Sequence, residues 1–334
     1  VEDPDVFPSR HYPTSKFNMG WAVDYAAGTP SFLAAIAGWW GPVEESGYST
    51  DGGRNWTVFP SWPSATWGGA PGMGTLAVST PDNIVWVPSS KRAPHYTLDR
   101  GQTWHKISLP GVPDTEEGWK GLHWAYYLKR HIVTADRVTP GTFYMYHTPN
   151  GLYRSTNGGV SWTHIRSGEL ASSSGFNAKL RSVPGQAGHL FFTSGHQQGE
   201  APSGAFMHST DGGVTWSPIS DVLEVWDYGF GKAAPGGSYP TIFVAGWVSG
   251  VYGVWRSDDE GVSWTQIGDR PLGSLDGIVA VEGDKNTYGT VYVGFGGSGY
   301  AYRGTGVDDT GAISGRVTGE ATAAPLRDVQ ALVH

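Results

Sequence analysis

Five segments of this 334-residue chain repeat one form, S/T-x-D/N-x-G-x-x-W. They are STDGGRNW at 49–56, TLDRGQTW at 97–104, STNGGVSW at 155–162, STDGGVTW at 209–216 and SDDEGVSW at 257–264. Their closing residues Trp56, Trp104, Trp162, Trp216 and Trp264 are separated by 48, 58, 54 and 48 residues. A period of this order, filled with short strands, is the mark of a β-propeller. The expected fold is therefore all-β: a propeller of six to seven four-stranded blades, each repeat forming the hairpin between the third and fourth strands. Such a fold restricts ligand binding largely to the loops at one end of the blades.

The repeat has its own physics and resembles the Asp box, or bacterial neuraminidase repeat. The carboxylate accepts hydrogen bonds from backbone N–H groups of the turn, glycine supplies φ > 0, and tryptophan packs between neighbouring sheets. Asp51, Asp99, Asn157, Asp211 and Asp259 are thus expected to be structural, with Asn157 still able to accept turn hydrogen bonds.

Composition narrows the function. Charged residues make up 16% and aromatics 13%, with 50 glycines and 16 tryptophans. Few charges and many flat rings suit neutral polysaccharides, whose C–H faces stack on aromatic rings. The net charge of −8 argues against nucleic acid, which requires a basic face. No apolar run reaches 18 residues, so no membrane-spanning helix is expected. Without cysteine there is neither a disulfide nor a thiolate metal site, and no His/Glu spacing suggests a catalytic metal. No cofactor or metal is expected.

Reading outwards from each repeat gives strands near 18–26, 31–38, 47–50 and 55–59 for a first blade, and 74–79, 84–88, 95–98 and 103–107 for a second. The third uses 131–137, 142–147, 151–155 and 161–165; the fourth uses 179–183, 189–194, 205–209 and 215–219. A fifth occupies 228–233, 241–247, 253–257 and 263–267, and a sixth offers 277–281, 291–295 and 299–303 without a fourth strand. Residues 1–303 are read as the propeller, with residues 1–16 able to supply a closing strand, and 304–311 as a glycine-rich linker. Residues 312–334 resemble the opening hairpin of a carboxypeptidase-regulatory-like β-sandwich, which implies a modular, secreted parent protein.

Beyond the boxes, VDYAAGTP (23–30), ADRVTPGTFY (135–144), GLYRSTNGG (151–159), YGFGKAAPGGSYPTIFVAGWV (228–248), GVWRSDDEGVSWTQI (253–267) and GDKNTYGTVYVGFGGSGYAY (283–302) resemble, in order, the C-terminal lobe of glycoside hydrolase family 74, the xyloglucanases. The resemblance implies a pair of propellers around a β-1,4-glucan chain carrying xylose branches, and an inverting pair of aspartates. Inversion needs an acid on the leaving oxygen and a base that activates water on the opposite face. The family's base belongs to an N-terminal lobe, and its acid to a GDIGGF-like segment without a counterpart here. Neither residue is carried over to a position of this chain, and an N-terminal propeller lobe is the implied partner.

The loops between strands two and three, and from strand four to the next blade, should form the binding face. On 38–46, 60–70, 109–130, 194–204, 220–229 and 246–252 they carry Trp39, Trp40, Trp62, Trp67, Trp119, Trp124, Trp226 and Trp247, half of all tryptophans. Seven of these, Trp39, Trp40, Trp67, Trp119, Trp124, Trp226 and Trp247, are read as substrate-binding, because indoles gathered on long loops are not explained by core packing. If the chain is catalytic alone, its carboxylates come from Glu44, Glu45, Asp114, Glu116, Glu117, Glu200, Glu224 and Asp227. Asp227 beside Trp226, and Glu116 or Glu117 beside Trp119, are the candidates, since burial against indole raises a carboxyl pKa towards general-acid values. Three functions compete: a hydrolase lobe for xyloglucan or a related β-1,4-glucan, a non-catalytic polysaccharide-binding or scaffold propeller, and a sialidase. The last lacks its early F/Y-R-I-P segment, and Arg154 and Arg256 lie beside boxes rather than on the binding face.

Overall fold

The computed structural model describes residues 20–37, 46–63, 74–89, 92–122, 131–170, 178–195, 206–269, 277–295 and 299–304. Among the described residues, the named strands pair antiparallel with their chain neighbours, which generates six sheets, five of four strands and one of three. They are the blades of a β-propeller fold. Blade 1 comprises β1 (Gly20–Ala26), β2 (Thr29–Ala37), β3 (Gly47–Ser49) and β4 (Thr57–Val58). Blade 2 comprises β5 (Thr75–Val78), β6 (Ile84–Val87), β7 (His95–Thr97) and β8 (His105–Lys106), followed by a one-turn helix α1 (Glu116–Trp119). Blade 3 comprises β9 (Val133–Ala135), β10 (Phe143–His147), β11 (Gly151–Ser155) and β12 (Thr163–Ser167). Blade 4 comprises β13 (Lys179–Ser182), β14 (Leu190–Thr193), β15 (Phe206–Ser209) and β16 (Ser217–Pro218). Blade 5 comprises β17 (Val222–Gly231), β18 (Thr241–Val248), β19 (Val251–Ser257) and β20 (Thr265–Gly268), and blade 6 β21 (Ile278–Gly283), β22 (Val291–Phe295) and β23 (Tyr300–Arg303).

The described residues divide into two compact units, those of 20–195 with 207–218, and residue 206 with those of 219–304. The expected linker at 304–311 and sandwich fragment at 312–334 lie, past Gly304, outside the described residues, as does the closing strand at 1–16.

In all five boxes the first-position hydroxyl donates to the third-position acceptor while receiving the fifth-position N–H. Ser49 Oγ sits 2.8 Å from Asp51 Oδ1 and 2.9 Å from Gly53 N. Ser257 Oγ sits 2.9 Å from both Asp259 Oδ1 and Gly261 N. The third-position oxygen then closes the turn by accepting from the seventh-position N–H: Asn55 at 2.9 Å, Thr103 at 2.8 Å, Ser161 at 3.0 Å, Thr215 at 2.9 Å and Ser263 at 2.9 Å. Asn157 fills this place with its amide oxygen and uses its amide nitrogen to donate to Ser161 Oγ at 2.9 Å. An N–H cluster around a carboxylate favours its charged form, and hydrogen bonds from the backbone and side chain of Asn55 hold Asp51 down to about 2. Burial pushes Asp99, Asp211 and Asp259 up, but hydrogen bonds from Thr103, Thr215 and Ser263 outweigh it and all three end below the ordinary value.

The fifth-position glycine does two jobs. Its φ is positive in every box, from 78° at Gly101 to 93° at Gly159. In four boxes it also lets the turn press on preceding structure. A Cβ on Gly101 would lie 2.5 Å from Phe59, on Gly159 3.0 Å from Tyr96, on Gly213 2.3 Å from Leu152 and on Gly261 3.1 Å from Ile219. Gly53 meets only its own Trp56, at 3.9 Å.

Blades are also latched through their first strands. Asp24 Oδ2 on β1 accepts from Val78 N on β5 at 2.8 Å, and Thr134 Oγ1 on β9 from Ser182 N on β13 at 3.2 Å. Asp227 Oδ2 on β17 accepts from Val281 N on β21 at 2.7 Å. Asp24 is further paired with Arg137 Nη2 at 2.6 Å, both being nearly buried. Between the latches lie apolar seams: Phe32, Ile36, Phe59, Leu76 and Trp86 in one unit, Phe243, Val254, Val281 and Val293 in the other.

Candidate functional site

Blade 5 departs from its fellows. Its first three strands run 10, 8 and 7 residues, against 4, 4 and 4 in blade 4. The added length lies at the end of the blade away from the box. There β18 and β19 form a hairpin closed by Ser249 and Gly250, with φ of 49° and 80°. Two consecutive positive φ values give the primed turn that matches strand twist. The structure here corrects the reading of 220–229 and 246–252 as loops: most of both segments is strand. The β-branched and aromatic content of the two flanks, together with a Ser-Gly pair, is the signal that marks a hairpin.

The extension carries an aromatic cluster. Glu224 faces Trp247 across β17 and β18, and Trp247 faces Tyr252 across β18 and β19, so the three side chains leave one face of the sheet in a row. The Tyr252 ring lies 5.7 Å from Trp247 and 5.1 Å from Trp226, in edge-to-face geometry with both. Trp247 is 39% exposed, with Leu223 and Val251 exposed around the same tip. The Trp226 indole N–H donates to Glu224 Oε1 at 2.5 Å, and Glu224 itself is buried. Gly246 is required beneath this row, because a Cβ there would lie 2.0 Å from Glu224 O. An exposed ring backed by rings that the sheet holds in place can stack on the apolar face of a sugar and bring no charge to it.

Of the tryptophans expected to bind substrate, Trp226 and Trp247 come together at this tip. Trp119 does not join them: it is 1% exposed, and its Nε1 donates to Asp114 Oδ1 at 3.0 Å. The short helix α1, capped by Thr115 Oγ1 accepting from Gly118 N at 3.2 Å, folds this indole inwards and removes it from any ligand. Trp62, on another of the expected loops, packs 4.8 Å from the box residue Trp104 and 4.6 Å from Trp86. Trp39, Trp40, Trp67 and Trp124 lie outside the described residues.

The candidate carboxylates also change place. Asp227 is 1% exposed and engaged in the latch to Val281, where Asp24 stands in blade 1; its burial serves strand docking rather than proton transfer. Glu117 is paired with Lys120 at 3.1 Å with its side chain 79% exposed, and Glu116 is exposed beside it. Neither is buried against Trp119, whose partner is Asp114. Hydrogen bonds from Lys106 and Trp119 hold the Asp114 carboxyl below its ordinary value. The carboxylate that touches Trp226 is Glu224, which sequence spacing alone did not single out from its neighbours. No cluster of three or more His, Asp or Glu side chains suited to a metal occurs among the described residues.

Comparison with known proteins gives this geometry its setting. The BNR/Asp-box repeat family matches residues 207–218, the fourth box. A xyloglucanase of Paenibacillus sp. is 32% identical over 310 residues, which cover 90% of this chain and 27% of that protein. Xyloglucanase Xgh74A of Acetivibrio thermocellus is also 32% identical, over 90% of this chain and 32% of its own length. Among solved structures, the GH74 xyloglucanase from Xanthomonas campestris superimposes with a TM-score of 0.65 at 29% identity, over 85% of this chain and 36% of that one. The chain thus spans about a third or less of the relatives it matches. Five boxes, six blades and this collinear likeness lead to one assignment: the chain is a propeller lobe of glycoside hydrolase family 74.

Proposed function

We propose that this chain is one lobe of a secreted xyloglucan-cleaving enzyme and contributes the substrate-gripping half of its cleft. The observation that carries the reading is the 32% identity to xyloglucanases over 90% of the chain. The Trp226–Tyr252–Trp247 platform supports it, as a surface suited to an uncharged glycan. In this reading cleavage is inverting, on β-1,4-glucan linkages, and needs a second, N-terminal lobe to complete the pair of carboxylates. The engagement of Asp227 in a strand latch and of Glu117 with Lys120 supports the dependence on a second lobe.

The test separates grip from cleavage. The 334-residue chain is incubated with xyloglucan and with mixed-linkage β-glucan, and affinity and new reducing ends are measured independently. Binding to xyloglucan without turnover, with turnover appearing when an N-terminal family 74 lobe is supplied on the same chain, is the expected result. Failure of the chain to bind either polymer would overturn the reading. Binding with no turnover in the two-lobed protein would favour the second reading, a non-catalytic polysaccharide-binding propeller, to which the same carboxylate engagements lend support.

A further inference from the structure

Trp226 is an unusual place for a contact residue to be held steady. In the pairing of β17 with β18, Val225 faces Gly246 and Asp227 faces Ala245, so Trp226 is the extra residue of a bulge. A second register shift, between Val222 and Glu224, makes Leu223 the extra residue there. Bulges re-aim side chains, and they lack the cross-strand pairing that fixes rotamers elsewhere in a sheet. The body of the Trp226 ring packs on the apolar seam of Phe243, Val254, Val281 and Val293, and its polar edge meets a side chain. The group in contact is a carboxylate 2% exposed, a costly resident of an interior unless it is hydrogen-bonded. Its Oε1 receives the indole N–H at 2.5 Å, a short bond of the charge-assisted kind. Tyr252 closes the other side of the ring at 5.1 Å.

We infer that Glu224 is a positioning residue for glycan recognition: by fixing the indole of the bulged Trp226 against Tyr252, it presets the inner step of the Trp247–Tyr252–Trp226 platform for an uncharged β-linked glycan. The inference rests on the reading of this hairpin tip as a glycan platform. Preset rings bind without the ordering cost that a loose side chain incurs on contact. The group does not touch the sugar; it acts through the ring it holds.

The experiment measures the affinity of the full chain for a xyloglucan polymer by calorimetry, with 19F NMR of 5-fluorotryptophan reporting ring order. The Trp226 resonance is assigned by its loss in Trp226→Phe. Trp226→Ala and Trp247→Ala are each expected to weaken binding on the order of tenfold. Glu224→Leu, which removes the acceptor, should weaken it by a similar factor and broaden or split the Trp226 resonance while leaving that of Trp247 in place. Glu224→Gln keeps an oxygen acceptor and should stay within about threefold of the parent, since a neutral acceptor binds more weakly than a charged one. If Glu224→Leu does not fold, Glu224→Gln carries the test through a shifted Trp226 resonance. Loss of affinity in Trp226→Ala with an unchanged Trp226 signal and affinity in the Glu224 variants would overturn the positioning role and leave the platform standing. Unchanged affinity in both tryptophan variants would overturn the platform, and the role of Glu224 with it.

Discussion

The box turns and the far tip of blade 5 use the same side chain in opposite ways, and the partner of the indole N–H tells them apart. At the boxes, Trp56, Trp162, Trp216 and Trp264 donate to the carbonyl of their own box glycine at 2.9–3.1 Å. Trp104 donates instead to Ser61 O at 3.1 Å, because the Gly101 carbonyl already accepts from Ser61 N and Oγ. All five acceptors are backbone, so these rings are fixed by the course of the chain itself. At the tip, Trp226 donates to a side-chain carboxylate, and Trp247 has no hydrogen-bond acceptor among the described residues. A backbone acceptor makes an indole part of the architecture, whereas a side-chain acceptor or none leaves it free to be tuned for a ligand.

Substitutions that exchange these roles should break the contrast if it is wrong. The largest effect is expected at a box: Trp162→Ala, which opens a cavity at a 6% exposed indole, should lower unfolding free energy by about 3–5 kcal/mol in a denaturant titration. Glycan affinity of the folded fraction should stay unchanged. Next comes Gly213→Ala, which places a Cβ 2.3 Å from Leu152 at φ 85° and should cost about 2–4 kcal/mol. The matched change Gly53→Ala, where a Cβ would make only an ordinary contact with Trp56 at 3.9 Å, should cost only about 1–2 kcal/mol. Equal losses would show that positive φ alone, not packing on the preceding blade, governs the box glycine. Trp247→Ala should reverse the pattern, leaving stability within about 0.5–1 kcal/mol while weakening xyloglucan binding about tenfold.

The framework side of the comparison can be sharpened through pH. Burial holds His95, His131 and His208 down to about 4, against an ordinary 6.5. The unfolded chain therefore takes up protons that the fold refuses, and stability should fall as pH drops from 6.5 to 4. Below that, Asp51, held down to about 2, contributes stability that is present above its ordinary 3.8 and lost as pH falls through 2; Asp99, Asp211 and Asp259 add in the same direction. Thermal melts of His131→Asn should flatten the upper limb, and those of Asn157→Asp should steepen the lower one. An unchanged profile in either variant would remove that group from the account.

The sequence made the boxes legible because a turn needs particular residues at fixed offsets, and those offsets survive in the chain. Even Asn157 was readable as a working substitute, since an amide oxygen accepts what a carboxylate accepts. The tip was legible only in part. Trp226 and Trp247 stood out by residue type, but their surroundings depend on bulges in β17 that shift register by one residue, and no local pattern announces that shift. Asp227 looked like the carboxylate beside Trp226 because it is adjacent in sequence. In an extended strand adjacent residues point to opposite faces, and the bulge after Val225 sends Asp227 to the neighbouring blade. Trp119 misled for a related reason: one turn of helix, too short to show periodicity, turned it inwards.

One box detail bears on how this molecule ages. Asn157 is followed by Gly158, the dipeptide most prone to lose ammonia by ring closure, in which the glycine nitrogen attacks the side-chain amide carbon. Here that nitrogen is occupied, donating to Gly141 O at 2.9 Å, and the amide oxygen is pinned by Ser161 N at 3.0 Å. The attack geometry is barred for as long as the turn stays closed, so the folded protein resists at this point a chemical clock that its unfolded form would run.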